Sequence, residues 1–577
     1  MNRAYNLSEW RPWEQNASPM LLTLTLNAGM RDLRDYFGMP LWTSVIIYED
    51  NQAKWLFRPK ELKLLGQKML DFLMCPPYRV SFVTGYDNAE NALLERAHEV
   101  QFVTDLGTLQ DTALSALFHD YCRLYYRWYK YGWFCEPVQF QSQDMLSSFL
   151  EKELRSVQPD LDVSRATQAL FTIEDDSFSL SILEHMGECA EALGEALKDD
   201  QVRREVERVN GQPGFPSAVA ELVFRATGGR QDPCLKVLVG KLEEHSSRYY
   251  WKQNNYFSTR FVDAREVLVE ILSLESLDLA APDATIRAQL EQSRENKSRL
   301  LAEKGALLGL LPPYQRSIAM LASSVGGSLI DKRKRTTMVA NAAFDRILGE
   351  AASRTRADIA DCRLLFPQEF GEYLSSPAEY RPRFEERRKR FLVFQGDFPL
   401  LDDLFGDVAT RAEREELAYD AFSMPEPFIA EGAEADKAIE QLNSRLNFLA
   451  EAQADTFEKL QGVTVYYDPA EPEMVGTARV VKDPKAQALQ SGQILVAPST
   501  TPDYMDAIRR CKAIVTDWGG QTSHAAIVSR ELKKPCIIGT NYASQVLRDG
   551  HKLRLHFRQG VVELVEGPQA KGNVDQS

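Results

Sequence analysis

Ala513-Ile514-Val515-Thr516-Asp517-Trp518-Gly519-Gly520-Gln521-Thr522-Ser523-His524-Ala525-Ala526-Ile527-Val528-Ser529-Arg530 is the stretch on which the reading of this chain turns. The β-branched run from Ala513 to Thr516 predicts a buried strand. Gly519-Gly520 breaks it and permits a tight turn. Thr522 or Ser523 then caps a helix running through Ala525 to Val528, which places His524 in its first turn. A helix N-terminus carries unpaired N–H groups and partial positive charge, so it suits a bound phosphate better than an imidazolium. The two glycines let backbone approach such a phosphate with no Cβ in the way. The physics favours a neutral imidazole that becomes anionic when phosphorylated.

Around this stretch lie further strand-like segments. Val475-Gly476-Thr477-Ala478-Arg479-Val480-Val481 and Gly492-Gln493-Ile494-Leu495-Val496-Ala497-Pro498 precede it, the second leading into Thr501-Pro502-Asp503-Tyr504. Glu531-Leu532, Pro535-Cys536-Ile537-Ile538-Gly539-Thr540, Asp549-Gly550 and Gly560-Val561-Val562 follow it. Together, over residues 461–566, these motifs resemble the phosphohistidine (swivelling) domain of the phosphoenolpyruvate-utilising enzymes. That family includes phosphoenolpyruvate synthase, pyruvate phosphate dikinase, rifampicin phosphotransferase and phenylphosphate synthase. One departure is Gln493, where the family has an acid. The resemblance implies that His524 carries the phosphoryl group, that Thr522 orients its ring, and that Gly519, Gly520 and Ser523 bind the phosphate. Arg530 either faces that phosphate or pairs with Glu531 or Asp517.

The chain has 577 residues and is 44% hydrophobic, enough for several cores and, on length, for about three or four domains. Its net charge of -15 disfavours a nucleic-acid or acidic-membrane partner. The sequence has no apolar run long enough to span a membrane and no signal-peptide core at Met1-Asn2-Arg3-Ala4-Tyr5. Its eight cysteines are scattered without a CxxC, and no HExxH occurs, so the expectation is a reduced, cytoplasmic protein with no metal site.

Residues 1–110 read as a mixed α/β region, with strands at Ser44–Tyr48 and Tyr78–Val83 around a helix from Pro59 to Leu73. Residues 111–455 read as a helical body ending in a linker, the charged and Ala-rich segment Arg411–Phe457 serving as tether. The tail 567–577 lacks apolar periodicity and reads as disordered. The expected fold is therefore multidomain: a mainly α-helical body with a small mixed α/β N-terminal part, plus a C-terminal α/β phosphohistidine swivelling domain. Eight aromatics crowd Tyr121–Phe134. They are either a central core helix or, through Tyr125, Trp128 and Tyr129, a wall of an acceptor pocket. Residues 311–375 resemble, more weakly, the helical region before the swivelling domain in rifampicin phosphotransferase-like enzymes, including Leu364-Leu365-Phe366-Pro367-Gln368-Glu369. The family's R-E-x-x-K spacing is broken by Leu329, leaving Arg333 either as a phosphate ligand or as part of a solvated charge run.

No stretch resembles the family's ATP-grasp domain or its phosphoenolpyruvate-binding barrel, and no G-x-x-x-x-G-K-[ST] loop occurs. The resemblance thus implies a phosphotransferase subunit. Its phosphate would come from ATP, with Mg2+, on a separate ATP-grasp-type nucleotide-binding protein and pass to a small-molecule acceptor held by the body. The competing readings are a non-catalytic phosphocarrier or regulatory protein, and a complete dikinase with its nucleotide site in the helical part.

Overall fold

The structure is a computed structural model that describes residues 11–15, 17–19, 21, 24–25, 44–49, 52–57, 59–395 and 428–566, apart from 211, 230–231, 275–276, 455–457 and 522. Much of the tether segment, the tail 567–577 and Thr522 lie outside the described residues. Strands β1 (Arg11–Gln15), β2 (Ser44–Glu49) and β3 (Gln52–Phe57) form an antiparallel sheet with β4 (Arg390–Gln395) and β5 (Phe428–Glu431), in the order β1-β3-β2-β4-β5. The N-terminal strands thus complete their sheet with strands from some 340 residues further along, through pairs such as Ile46 with Val393. The body is built on helices α1 (Pro59–Met74), α2 (Pro76–His98), α3 (Asp111–Phe149), α4 (Phe178–Ala196), α5 (Pro233–Tyr249), α6 (Ala284–Leu310) and α7 (Leu329–Thr355), followed by α8 (Gly432–Ala454). Among the described residues, no helix is long and apolar enough to cross a membrane.

Two expectations change here. Tyr78–Val83 is helix, within α2, not strand. The short apolar run fits either period, and Pro76-Pro77 at the first helical positions starts a helix whose buried face is Phe82, Tyr86, Glu90, Leu93 and Ala97. The described half of the tether is also not free. In α8, Ala435, Ala438, Ile439 and Leu442 are buried, and the helix packs on β4.

The aromatic segment lies in the middle of α3. Tyr121, Tyr125 and Trp128 are fully buried. Phe344 of α7 meets Tyr121 edge-on at 4.6 Å, and Tyr125 stacks with Tyr129 at 5.5 Å. Aromatics on every face of a helix are accommodated because α1, α2, α7 and the helix Pro313–Ser323 surround it.

The C-terminal sheet has eight strands: β6 (Lys459–Gln461), β7 (Val463–Tyr466), β8 (Glu473–Val480), β9 (Ile494–Ala497), β10 (Ala513–Thr516), β11 (Cys536–Ile538), β12 (Lys552–His556) and β13 (Val561–Glu566), in the order β6-β13-β12-β8-β9-β10-β11-β7. Strands β8 to β11 run parallel, and β10 and β11 are joined through helix α9 (His524–Glu531). Every residue of β9, β10 and β11 is buried, as expected of parallel strands covered on both faces.

This sheet domain is docked on the body through aromatic contacts, Trp518 on Phe57 and His524 on Phe178, and through a set of polar ones. Ser177 Oγ donates to Glu531 Oε2 at 2.7 Å, Ser293 Oγ to the Glu531 carbonyl at 2.5 Å and Asn296 Nδ2 to the Arg530 carbonyl at 2.6 Å. Arg509 pairs with Glu270 at 3.2 Å, and Asn255 Nδ2 donates to Asp503 at 3.1 Å. Each such bond contributes about 1 kcal/mol net. One group outweighs them. Burial pushes the Glu531 carboxyl from 4.5 up to about 8, against the opposing effect of its Ser177 bond. At about 1.4 kcal/mol per unit, charging Glu531 in this pose costs several kcal/mol. Burial likewise raises nearby Asp331 to about 6, although it accepts the Phe178 N–H at 2.9 Å.

A raised carboxyl favours the state that holds the proton. Docking is therefore strongest below the ordinary carboxylate range and weakens as pH rises toward about 8. Fluorescence energy transfer between dyes on body and sheet domain should fall between pH 5 and pH 9, roughly. Glu531→Gln should remove most of the fall above about pH 6, leaving the part due to Asp331. An unchanged profile in that variant would assign the transition elsewhere.

Candidate active site

His524 is positioned by the unit β10–turn–α9. Strand β10 ends at Thr516, whose carbonyl accepts from Thr540 N at 3.1 Å. Asp517 is buried and bound by Ser544, through its N–H at 2.8 Å and its hydroxyl at 2.5 Å, which fixes the start of the turn. Gly519 has φ of +135°, a conformation closed to L side chains, and a Cβ there would stand 2.9 Å from Ser523 Oγ. Gly520 faces the body: a Cβ would lie 2.0 Å from Gln139 Nε2 of α3. Of the two capping residues expected from sequence, Ser523 is the N-cap, its hydroxyl accepting from Ala526 N at 3.3 Å. That cap is worth about 1 kcal/mol to so short a helix.

The ring of His524 is 1% exposed. Nδ1 is 3.2 Å from Thr500 Oγ1, and one face stacks on Phe178 at 5.7 Å with 11° between the planes. Nε2 is buried with no hydrogen-bond partner among the described residues. Burial, reinforced by the Lys334 charge, holds the imidazole pKa well below its usual value, so the ring is neutral. In the tautomer that donates Nδ1–H to Thr500 Oγ1, Nε2 holds the lone pair. His524 lines a cavity of about 50 Å³ together with Gln139, Tyr256, Ile330, Lys334, Ser499 and Trp518 among others. That is room for one or two waters, well below the roughly 300 Å³ at which ligand pockets begin.

The residues expected from sequence are distributed unevenly about this cavity. Gly519, Gly520 and Ser523 line it with His524. Arg530 does not. It is buried on the far side of α9, where it donates to the backbone and side-chain oxygens of Gln521, the latter at 2.7 Å, and burial lowers its pKa to about 9. Arg333 turns into the body, donating to the Gly132 carbonyl at 3.0 Å and lying over the Tyr129 ring. Its neighbour Lys334 lines the cavity instead, on the same helix face as Ile330 four residues earlier. Tyr125, Trp128 and Tyr129 belong to the main core cluster and do not line this cavity.

Three residues escaped the sequence reading. Thr500 sits three positions beyond β9, and the register of β9 beside β10 brings it to His524. Phe178 comes from the body and carried no sequence signal. Lys334 was visible only as one charge in the run Asp331–Arg335. A wider cleft of about 750 Å³ lies on the other side of Phe178, between body and sheet domain, lined by Lys252, Arg260, Lys485 and Arg509 as well as Glu270 and Asp503.

Comparison with known proteins agrees with this geometry. Residues 489–560 match the family model "PEP-utilising enzyme, mobile domain". The probable phosphoenolpyruvate synthase of Methanothermobacter thermautotrophicus is 33% identical over 176 residues, 30% of this chain and 25% of the relative. That of Staphylothermus marinus is 46% identical over 98 residues, covering 16% and 12%. The phosphoenolpyruvate synthase of Pyrococcus furiosus is 44% identical over 91 residues, covering 15% and 11%. The chain thus spans a quarter or less of the length of these relatives. The neutral, buried, capped histidine of α9 lies inside the matched segment, and this part of the chain is homologous to the phosphoenolpyruvate-synthase-like, PEP-utilising enzymes and carries their mobile domain.

Proposed function

We propose that the chain is a phosphotransferase that works through a phosphohistidine at Nε2 of His524. The observation that carries the reading is the unpartnered, neutral Nε2 at the start of α9, with Nδ1 held by Thr500. The Nε2 lone pair attacks a donor phosphorus in line, the N–P bond forms, and the donor P–O bond breaks. The proton stays on Nδ1, hydrogen-bonded to Thr500 Oγ1, and leaves with the ring's positive charge only by exchange with solvent. In the second half-reaction an acceptor oxygen attacks the same phosphorus and the N–P bond breaks. The backbone N–H groups at the start of α9 and the ammonium of Lys334 stabilise the phosphoryl charge.

The two half-reactions need two poses. In-line transfer requires reacting atoms within about 3–3.5 Å. The small cavity at His524 admits no nucleotide, so the docked pose is the resting or acceptor-side one, and the donor is met after the sheet domain leaves the body. The polar part of its interface suits such movement. The 750 Å³ cleft behind Phe178 is of ligand size and supports a small-molecule acceptor there.

Two donor arrangements fit. In one, ATP with Mg2+ is bound by a separate ATP-grasp-type protein, and this chain serves as carrier and acceptor module. In the other the chain is a complete dikinase. The second is favoured by the 176-residue match, which is longer than the 106 residues from 461 to 566 and so extends upstream of the sheet domain. Titration calorimetry of the purified chain with Mg-ATP separates them: silence supports the carrier arrangement, and micromolar binding supports the complete dikinase.

His524→Ala should abolish acid-labile, base-stable labelling by the phosphoryl donor. Replacing each of His98, His119, His185, His245, His551 and His556 should leave labelling in place. Labelling retained in His524→Ala would overturn the assignment. Thr500→Val removes one hydrogen bond of about 1 kcal/mol and should slow labelling roughly five- to tenfold.

Cysteines introduced at Asp162 and Tyr467, which are hydrogen-bonded across the interface away from His524, and joined by a short cross-linker fix the docked pose. The locked protein should complete only one of the two half-reactions, and full turnover at the normal rate would rule out a swinging domain.

A further inference from the structure

Away from His524, the body holds a second group of chemistry-bearing side chains. His185 and Cys189 are four residues apart on α4 and therefore share one face. His245 comes from α5, packed alongside. One ligand atom from each of the three falls within 4.8 Å of the others. All three side chains are buried, His245 and Cys189 completely and His185 at 5% exposure. Buried imidazole nitrogens ordinarily have partners. Here neither nitrogen of His185 nor Nδ1 of His245 has a hydrogen-bond partner among the described residues. Glu244 Oε1 stands 3.5 Å from His185 Nε2. That is where an outer carboxylate sits behind a metal-bound imidazole. Cys189 Sγ has a weak contact to the Lys241 carbonyl at 3.4 Å, which a thiolate gives up readily.

We propose that His185, Cys189 and His245 form a binding site for one thiophilic d10 cation, Zn2+ or Cu+. Two imidazoles and a thiolate are the donors these ions favour and that Mg2+ and Ca2+ avoid. Binding displaces the Cys189 thiol proton to solvent and forms one metal–sulfur and two metal–nitrogen bonds. Lys252 Nζ lies 3.2 Å from His245 Nε2. It is already held by Glu270 at 2.5 Å, so it keeps an anionic partner when His245 turns to the metal. The site lies two turns along α4 from Phe178, which packs on His524, so the metal would tie α4 to α5 beneath the body's contact with the phosphoryl carrier. The sequence conceals the site because its third ligand lies 56 residues beyond the second, outside any short motif.

The test uses the full chain, stripped with chelator and titrated with Co2+ under reducing conditions, with Cu+ in a parallel competition against a chromophoric chelator. One equivalent should bind, giving a thiolate-to-Co2+ charge-transfer band and tetrahedral d–d bands that Zn2+ displaces, or Cu+ should bind with the same stoichiometry. Cys189→Ser should remove the charge-transfer band, and His245→Ala should weaken binding more than tenfold, while Cys234→Ser, at the exposed cysteine, should change neither. Bound metal should raise the melting temperature of the parent protein and of Cys234→Ser but not of Cys189→Ser, with circular dichroism showing that each variant is folded. Lack of stoichiometric uptake of either ion, or a charge-transfer band that survives Cys189→Ser and is lost in Cys234→Ser, would overturn the proposal.

Discussion

The contact between Nδ1 of His524 and Thr500 Oγ1, made inside a buried pocket, is the constraint on which the candidate chemistry depends. Burial removes the imidazolium as an option, and the Lys334 charge acts in the same direction. The threonine then distinguishes the two nitrogens of a neutral ring. With the proton on Nδ1 the lone pair is on Nε2, and the ring is set by the N-cap at Ser523 and by the stack on Phe178. A buried nitrogen without a partner is costly, on the order of 1–3 kcal/mol. The fold meets that cost with the all-buried strands β9, β10 and β11, which make the platform under α9 rigid.

The same logic of burial governs the docking of the sheet domain. Among its contacts with the body are hydrogen bonds from Ser177, Ser293 and Asn296 to the end of α9. Ser177 serves twice, capping α4 through Leu180 N and donating to Glu531. The first residue of α4 is Phe178, the ring on which His524 rests. One helix start thus engages both ends of α9, its first-turn histidine and its last carboxyl. Burial raises the Glu531 carboxyl to about 8, so the docked pose favours its protonated form and docking is expected to weaken as pH rises.

The body supplies the surface against which the candidate histidine is packed. A π-helical turn at Ser324–Ser328 precedes α7, and its Gly326 passes close to Gln139 of α3. Gln139 in turn presses against Gly520. The aromatic middle of α3 anchors this arrangement in the main core. Tyr121 and Tyr125 both meet Phe344 of α7, which keeps the two helices that face the turn in fixed relation.

The sequence by itself determined the local unit: a β-branched strand, a glycine turn, a serine cap and a histidine one residue later. Those features are set by backbone sterics and capping, which act over a few residues and are legible in order. It also determined the helix Pro59–Met74 and the strand Ser44–Glu49, but read Tyr78–Val83 as strand because six residues cannot distinguish the two periods. Only the tertiary structure decided which cation faces the histidine. Arg333 and Lys334 are adjacent in sequence and about 100° apart on α7, and packing turned the first into the body and the second toward the cavity. It likewise decided that Thr500, Phe178 and His524 meet, and that His185, Cys189 and His245 do. Such meetings arise from strand register and helix packing between segments tens to hundreds of residues apart, and no local pattern in the chain encodes them.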